Sequence, residues 1–292
     1  MQMFSKELVP IINRIQITRM KLFIARVIYK ALKTLLRNDF HIIRRGEIFY
    51  EVDLTEGIDL SLFLFGNFQN HITRNKYFSL KDNAVVFDIG ANIGSMTLKF
   101  AQLSPCGHIY AFEPTDYAFN KLLHNIYRNP ELSKRITPLQ YFVSDRLEVN
   151  HFETYASWKV NGNLSDKHPL HGGTIQPCSK TSIITIDDFC EKEKIQSIDL
   201  IKIDTDGHEL KVLRGARKSV HKFLPYIIFE AGYYLMKEHC ILFEHYFDYF
   251  SSANYILINS KNGKVITTEN YFKQIPLYAT IDIIGFPLKR PA

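Results

Sequence analysis

The sequence predicts an α/β fold: an open, mostly parallel sheet of about seven strands with one antiparallel strand near the edge, preceded by a helical extension. Three observations carry this. From Ala84 onward, short apolar runs alternate with amphipathic stretches of helical period. The runs are apolar throughout rather than every second residue, as in strands buried on both faces. The last two strands are joined without a clear intervening helix, and a parallel crossover needs a dozen or more residues, usually helical.

The elements follow in order. Between positions 11 and 37 lie Arg14, Arg19, Lys21, Arg26, Lys30, Lys33 and Arg37 with no acidic residue, whereas the whole chain carries a formal charge of +6. The basicity is therefore local, unlike the spread footprint of a nucleic-acid binder. At helical spacing, Arg19, Arg26, Lys30, Lys33 and Arg37 share one face, and Met20, Ile24, Val27, Ala31, Leu35 and Leu36 share the other. This basic amphipathic helix has two readings: a helix lying on an anionic membrane surface, or one packed on its own domain or a second subunit. Charges interrupt every apolar run here, so neither a membrane span nor a signal peptide is expected.

Ile48 to Asp53 reads as a short strand and Asp59 to Phe68 as an amphipathic segment ending in Gly66-Asn67. Strands are then expected at Val85–Phe87, Ile109–Phe112, Thr137–Val143, Ile198–Ile203, Tyr226–Phe229, Tyr255–Ile258 and Thr280–Gly285. Helices are expected at Gly94–Leu103, Asp116–Tyr127, Gly207–Val220 and Leu235–Phe250. Between Arg146 and Ser182 the pattern pauses. Val149 to Tyr155 reads as an edge strand, followed by a polar loop over 157–180, long enough for a lid or binding loop. The division is residues 1–75, a basic helix with a small accessory region, and residues 76–292, the principal domain.

Composition excludes other classes: 292 residues, 46% hydrophobic and 23% charged, describe one globular domain with an appendage. Cys106, Cys178, Cys190 and Cys240 show no C-x-x-C spacing and encode neither a zinc site nor a disulfide framework, which fits a reducing, cytoplasmic setting.

The strongest chemical signal is Val85-Val86-Phe87-Asp88-Ile89-Gly90-Ala91-Asn92-Ile93-Gly94-Ser95, at the carboxyl end of the first strand and the start of a helix. Gly90 and Gly94 let the backbone turn sharply and approach a ligand. The next strand ends in Ala111-Phe112-Glu113-Pro114, placing a carboxylate where it can accept hydrogen bonds from both hydroxyls of a ribose. A dinucleotide site prefers G-x-G-x-x-G and an anionic pyrophosphate. Here the glycines stand four apart with an acid just before them, a pattern suited to a cationic cofactor, S-adenosylmethionine.

The second signal runs from Ile198 through Lys202-Ile203-Asp204-Thr205-Asp206-Gly207-His208-Glu209 to Gly215-Ala216. With D-I-G-A-N-I-G, A-F-E-P, Phe142-Val143-Ser144-Asp145 and Thr185-Ile186-Asp187-Asp188-Phe189, this stretch resembles the FkbM family of S-adenosylmethionine-dependent methyltransferases. The resemblance covers roughly Val85 to Gly232. It implies a class I methyltransferase, Rossmann-like fold, methylation of a hydroxyl on a sugar, a glycolipid or polysaccharide precursor, or a secondary metabolite, and a small-molecule or glycan acceptor. By motif it assigns Asp88, Gly90, Asn92 and Gly94 to the methionine side of the cofactor, Glu113 to the ribose and Asp145 to the adenine side, where a local turn cap on Ser144-Asp145 is the alternative.

A hydroxyl acceptor needs a general base. Asp204, Asp206, His208 and Glu209 are the candidates, with Asp204 best placed at the strand end and His208 nearest neutrality in its intrinsic pKa. Structural alternatives are a Glu209–Lys202 pair, an Asp206 helix cap and a solvated His208. Glu230 is a further pocket candidate. Tyr155, Trp158, His168 and His171 suggest a cover for a sugar ring. No metal site is expected. Two other functions stand beside this reading: a catalytically silent cofactor-binding scaffold, and a nucleic-acid methyltransferase, against which the absence of an Asn/Asp-Pro-Pro-Tyr/Phe motif counts.

Overall fold

The computed structural model describes residues 27–31, 33, 34, 36, 38–66, 69–145 and 181–289, and the backbone of 154–155 and 175–176. Of the expected basic helix, residues 27–31, 33 and 34 are helical, Leu36 is not, and the remainder lies outside the described residues. Tyr29 is buried while Val27, Lys30, Ala31 and Lys33 are exposed. Strand β1 (Phe40–Arg45) and strand β2 (Ile48–Asp53) form an antiparallel hairpin. Alternation in β2 turns Ile48, Tyr50 and Val52 inward, whereas Phe40 and Ile42 of β1 stay exposed.

Asparagines on helix Asp116–Tyr127 and just beyond it complete the hairpin's free edge. Asn125 Oδ1 accepts from the Glu51 N–H at 2.6 Å, and Asn129 binds both the N–H and the C=O of Phe49, at 2.9 and 2.7 Å. Backbone groups that would otherwise template aggregation are thereby satisfied. Helix Gly57–Phe65 follows and ends on Gly66 in the left-handed region (φ 67°), whose N–H reaches the Leu62 carbonyl. Its buried Asp59 pairs with Lys121 on the same helix that carries Asn125.

The principal sheet contains β3 (Val85–Ile89), β4 (His108–Phe112), β5 (Ile136–Leu139), β10 (Leu200–Ile203), β11 (Tyr226–Ala231), β12 (Tyr255–Asn259), β13 (Val265–Ile266) and β14 (Ile281–Pro287), in the spatial order β13-β12-β14-β11-β10-β3-β4-β5. Strands β5, β4, β3, β10 and β11 are parallel, and β14 is antiparallel to both β11 and β12. The expected architecture is present, with a two-residue strand added at the edge. From β3 the chain moves outward through β4 and β5; from β10 it moves the other way, so β3 and β10 flank the point where strand order reverses. Helices cover both faces. Phe87, Ile89, Phe112, Ile203 and Phe229 pack on one side, and Val86, Ala111, Leu200, Ile228 and Ile284 on the other, beneath Tyr50, Leu60 and Ile72 of the accessory region.

Three expected elements divide. The third strand splits into β5 and β6 (Tyr141–Val143), which pairs with β9 (Ser182–Ile184) instead. Pro138 lacks an N–H and is accommodated on the edge strand β5. The helix expected over 207–220 becomes Glu209–Gly215 and Arg217–Phe223, where Gly215 meets the Ser144 carbonyl so closely that a Cβ would lie 2.1 Å from it. The helix expected over 235–250 becomes Tyr233–Glu238 and Phe243–Ser252, separated by Cys240 at φ 53°. In the insert, β7 (Thr154–Tyr155) pairs antiparallel with β8 (Ile175–Gln176); the rest of the proposed edge strand, with Trp158, His168 and His171, lies outside the described residues.

Candidate active site

The site begins where β3 ends. The N–H groups of Gly90 and Ala91 both donate to the Phe112 carbonyl at 2.9 Å, and the turn passes through Gly90, Asn92 and Gly94, all at positive φ. Asn125, which holds the hairpin, also donates to the Ile93 carbonyl at 2.8 Å. Gly90 is required by close approach as well as by conformation: a Cβ there would lie 1.8 Å from the Asp204 carbonyl oxygen at the tip of β10. At Gly94, the N-cap of helix Ser95–Leu103, a Cβ would lie 2.7 Å from Leu122. The loop therefore sits against β10 on one side and helix Asp116–Tyr127 on the other.

Strand register sets a row of ionisable groups beside it. Lys202 pairs with Asp88 across β10 and β3, and Glu230 pairs with Asp282 across β11 and β14. Lys202 is 3% exposed, with Nζ 3.6 Å from Asp88 Oδ1 and 3.1 Å from Asp204 Oδ2. Burial opposes its charge, but Asp204, Asp88 and the nearby Asp282 outweigh burial and hold its pKa above the usual lysine value. Asp88 is fully buried and its pKa is raised by that burial, against the pull of Lys202 and of Thr97, whose hydroxyl donates to Oδ2 at 2.6 Å. Its other oxygen, Oδ1, accepts no hydrogen bond among the described residues.

Glu113, just beyond β4, is buried and clamps the glycine loop: Oε2 accepts from Asn92 N–H at 2.9 Å, and Oε1 accepts from the Thr115 N–H and hydroxyl at 3.0 and 2.6 Å. Burial raises its pKa despite these donors. A carboxylate has about four acceptor positions, so capacity remains for a ligand hydroxyl.

The acids after β10 differ in role. Asp204 is partly exposed, its side chain 25% accessible. Asp206 adopts a left-handed conformation (φ 51°), and burial first, then Asp204 and Glu209, push its pKa up to about 8. Glu209 is buried and accepts from the Thr205 N–H and hydroxyl and the Gly207 N–H at 3.0–3.1 Å, so it braces the turn; Lys202 pairs with Asp88 and Asp204. The N-cap of the following helix is His208, so the alternative expectation of a cap at Asp206 is corrected.

The structure thus brings together Asp88, Gly90, Asn92, Gly94, Glu113 and Asp204. His208 stands between Phe142 and His239, with ring centroids 5.3 and 4.7 Å away. Asp145 follows β6, half-buried, with the Ser144 hydroxyl 3.4 Å from Oδ1. Both belong to the neighbourhood of β6. Glu230 receives the Thr280 hydroxyl, and burial together with Asp204, Asp206 and Asp282 raises its pKa strongly.

Sequence reasoning missed Lys202, Gln69, His71 and Asp282 as site residues. Lys202 had a signal, because a lysine within a strand buried on both faces requires ionic partners. Gln69 donates to Asp204 Oδ2 at 3.0 Å and His71 Nε2 lies 2.5 Å from Asp282 Oδ2, contacts between distant parts of the chain with no local signature.

Known proteins resemble this chain over about half of its length. It is 28% identical to 2-O-methyltransferase NoeI of Sinorhizobium fredii, over 49% of this chain and 61% of that protein. It is 27% identical to the hexuronic acid methyltransferase AglP of Haloferax volcanii, over 46% and 51%, respectively. It is 30% identical to 31-O-demethyl-FK506 methyltransferase FkbM of Streptomyces tacrolimicus, over 47% and 60%. The alignments therefore span about half to three fifths of these relatives. The sheet order, with its reversed strand, is the mostly parallel architecture expected from the sequence. Residues 88–257 match the Methyltransferase FkbM domain, more than half of the sequence, and the chain belongs to the FkbM methyltransferase family.

Proposed function

We propose that this chain transfers a methyl group from S-adenosylmethionine to a hydroxyl of a sugar or sugar-bearing acceptor. The observation that carries the reading is the meeting of the Gly90 turn with the tip of β10, where Asp204 presents a partly exposed carboxylate beside a buried acidic row. The residues fit this cofactor. Two left-handed glycines open the backbone, Asp88 Oδ1 is buried with Lys202 Nζ 3.6 Å away and accepts no hydrogen bond among the described residues, and Glu113 beyond β4 keeps acceptor capacity for the ribose hydroxyls that the resemblance assigns to it. Acidic surroundings favour a cation over a pyrophosphate. The names of NoeI, a 2-O-methyltransferase, and FkbM, a 31-O-demethyl-FK506 methyltransferase, support methylation at oxygen, and AglP, a hexuronic acid methyltransferase, supports a sugar-type acceptor.

When bound, the cofactor supplies a methyl carbon on a sulfonium, and the C–S electron pair stays on sulfur as the neutral thioether departs. Asp88, Asn92 and Glu113 would hold the donor. Asp204 would accept the acceptor's hydroxyl proton as its oxygen forms the new O–C bond, general-base assistance worth about 10²–10⁴-fold in rate. Alignment by the surrounding walls supplies the rest. His208 and Asp145 remain candidates for the wall near β6. No helix among the described residues is long and apolar enough to cross a membrane.

The test is calorimetric titration of S-adenosylmethionine into wild type and Asp88→Ala, followed by S-adenosylhomocysteine release with a panel of methyl hexosides and methyl hexuronides. Asp204→Asn should lose most turnover while cofactor affinity changes less; near-normal turnover would remove Asp204 as the base. Cofactor binding without release across the whole panel would favour the silent scaffold.

A further inference from the structure

The strap Gln69–Asn75 lies outside the span that matches the family, yet it reaches the centre of the acidic row. Gln69 holds a left-handed conformation (φ 49°), uncommon for a side chain of its kind. Its Nε2 donates to Asp204 Oδ2 at 3.0 Å, and Lys202 Nζ donates to that same oxygen at 3.1 Å. Asp204 Oδ1 accepts no hydrogen bond from a described residue.

The strap is pinned on every side. His71 pairs with Asp282 on β14, Asn75 Nδ2 donates to the His71 and Ser260 carbonyls at 2.8 and 2.9 Å, and Lys99 donates to Asn70 Oδ1 at 3.1 Å. Ile72 is buried in the core beneath it. Four parts of the fold, helix Ser95–Leu103 and the ends of β10, β12 and β14, thus fix where the Gln69 amide points.

We infer that Gln69 is a positioning residue for Asp204: with Lys202 it holds Oδ2, so that Oδ1 is turned to the acceptor hydroxyl. The inference rests on the hydroxyl-transfer reading above. An aspartate's terminal torsion is broad and roughly two-fold, so an untethered carboxylate samples orientations that serve no acceptor. Two donors on one oxygen fix its plane. The amide comes from the strap, so base geometry depends on the docking of a segment that the matched domain does not include.

The full chain is assayed on whichever methyl hexoside or hexuronide wild type methylates, with S-adenosylhomocysteine affinity measured for every variant. Gln69→Leu should lower kcat about tenfold, the equivalent of one hydrogen bond to a charged group, while acceptor KM and S-adenosylhomocysteine affinity stay within about twofold. His71→Ala should lower kcat through the same contact, so the double variant should be no slower than Gln69→Leu alone. Gln69→Asn, an amide with shorter reach, should fall between wild type and Gln69→Leu. Unchanged kcat in Gln69→Leu, a loss carried by KM, additive losses in the double variant, or loss of S-adenosylhomocysteine binding would each overturn the positioning role. Absence of turnover by wild type on every acceptor would instead remove the hydroxyl-transfer reading, and this inference with it.

Discussion

Replacing Lys202 by methionine tests the acidic row directly. The substitution keeps length and apolar stem but deletes the ammonium that lies 3.6 Å from Asp88 and 3.1 Å from Asp204. Asp204 is partly exposed and keeps the Gln69 amide, so it tolerates the loss. Asp88 is completely buried and keeps only the Thr97 hydroxyl. Removing one partner of a buried ion pair costs about 3–5 kcal/mol. At roughly 2–4 °C per kcal/mol for domains somewhat smaller than this chain, the melting temperature should fall by about 10 °C. Burial already raises the Asp88 pKa, and without Lys202 it rises further. The deficit should therefore be small in acid, where Asp88 is protonated in folded and unfolded chains alike, and should grow as pH rises past the unfolded carboxylate value. Lys202→Met/Asp88→Asn should recover at least half of the loss, since a whole buried pair can be replaced at little cost. Thermal and urea denaturation between about pH 3 and pH 8 measure all of this. A single variant within about 1 kcal/mol of wild type, a deficit independent of pH, or a double variant no better than the single would refute the electrostatic account.

Two further outcomes are expected. The Asp206 carboxyl, raised from 3.8 to about 8, stays protonated in the folded chain after it has ionised in the unfolded one, so its contribution to stability should decline as pH rises through that window. Asp206→Asn should flatten this decline in urea titrations; an unchanged pH profile would show that the carboxyl ionises normally. For the basic stretch at 11–37, we propose contact with an anionic membrane surface, and the exposure of Val27, Lys30 and Lys33 and of Phe40 and Ile42 on the adjoining hairpin supports it. The chain should sediment with phosphatidylglycerol vesicles but not with phosphatidylcholine vesicles, and a form lacking residues 1–37 should stay in the supernatant; equal recovery from both lipids would oppose an electrostatic contact.

Much of the sheet was legible because doubly buried strands read as apolar runs whatever their neighbours do. Val85–Ile89 and Tyr226–Ala231 stand where those runs predict strands. Strand β1 was not legible: Phe40 and Ile42 point outward, and its charged tail conceals any two-residue alternation. The helix break at Cys240 was equally hidden, since cysteine carries no turn signal although this one, exposed, adopts a left-handed conformation. In the site, Gly90 and Glu113 were readable from spacing, because backbone geometry demands a glycine and a strand tip offers one place for an acid. Lys202 was visible but unassigned. Gln69, His71 and Asp282 act across 135 and 211 positions of sequence separation, where only the fold reveals the partner.

Strand β14 lies between β11 and β12 rather than at the margin of the sheet. During synthesis both neighbours therefore emerge from the ribosome with an edge still bare, and stay so until positions 281–287 arrive to seal them. Nascent chains commonly fold from the amino end, and unsealed edges invite wrong partners. Shortening this protein before residue 281 would thus cut through the middle of the sheet and detach β12 and β13, besides removing the Asp282 anchor of the strap.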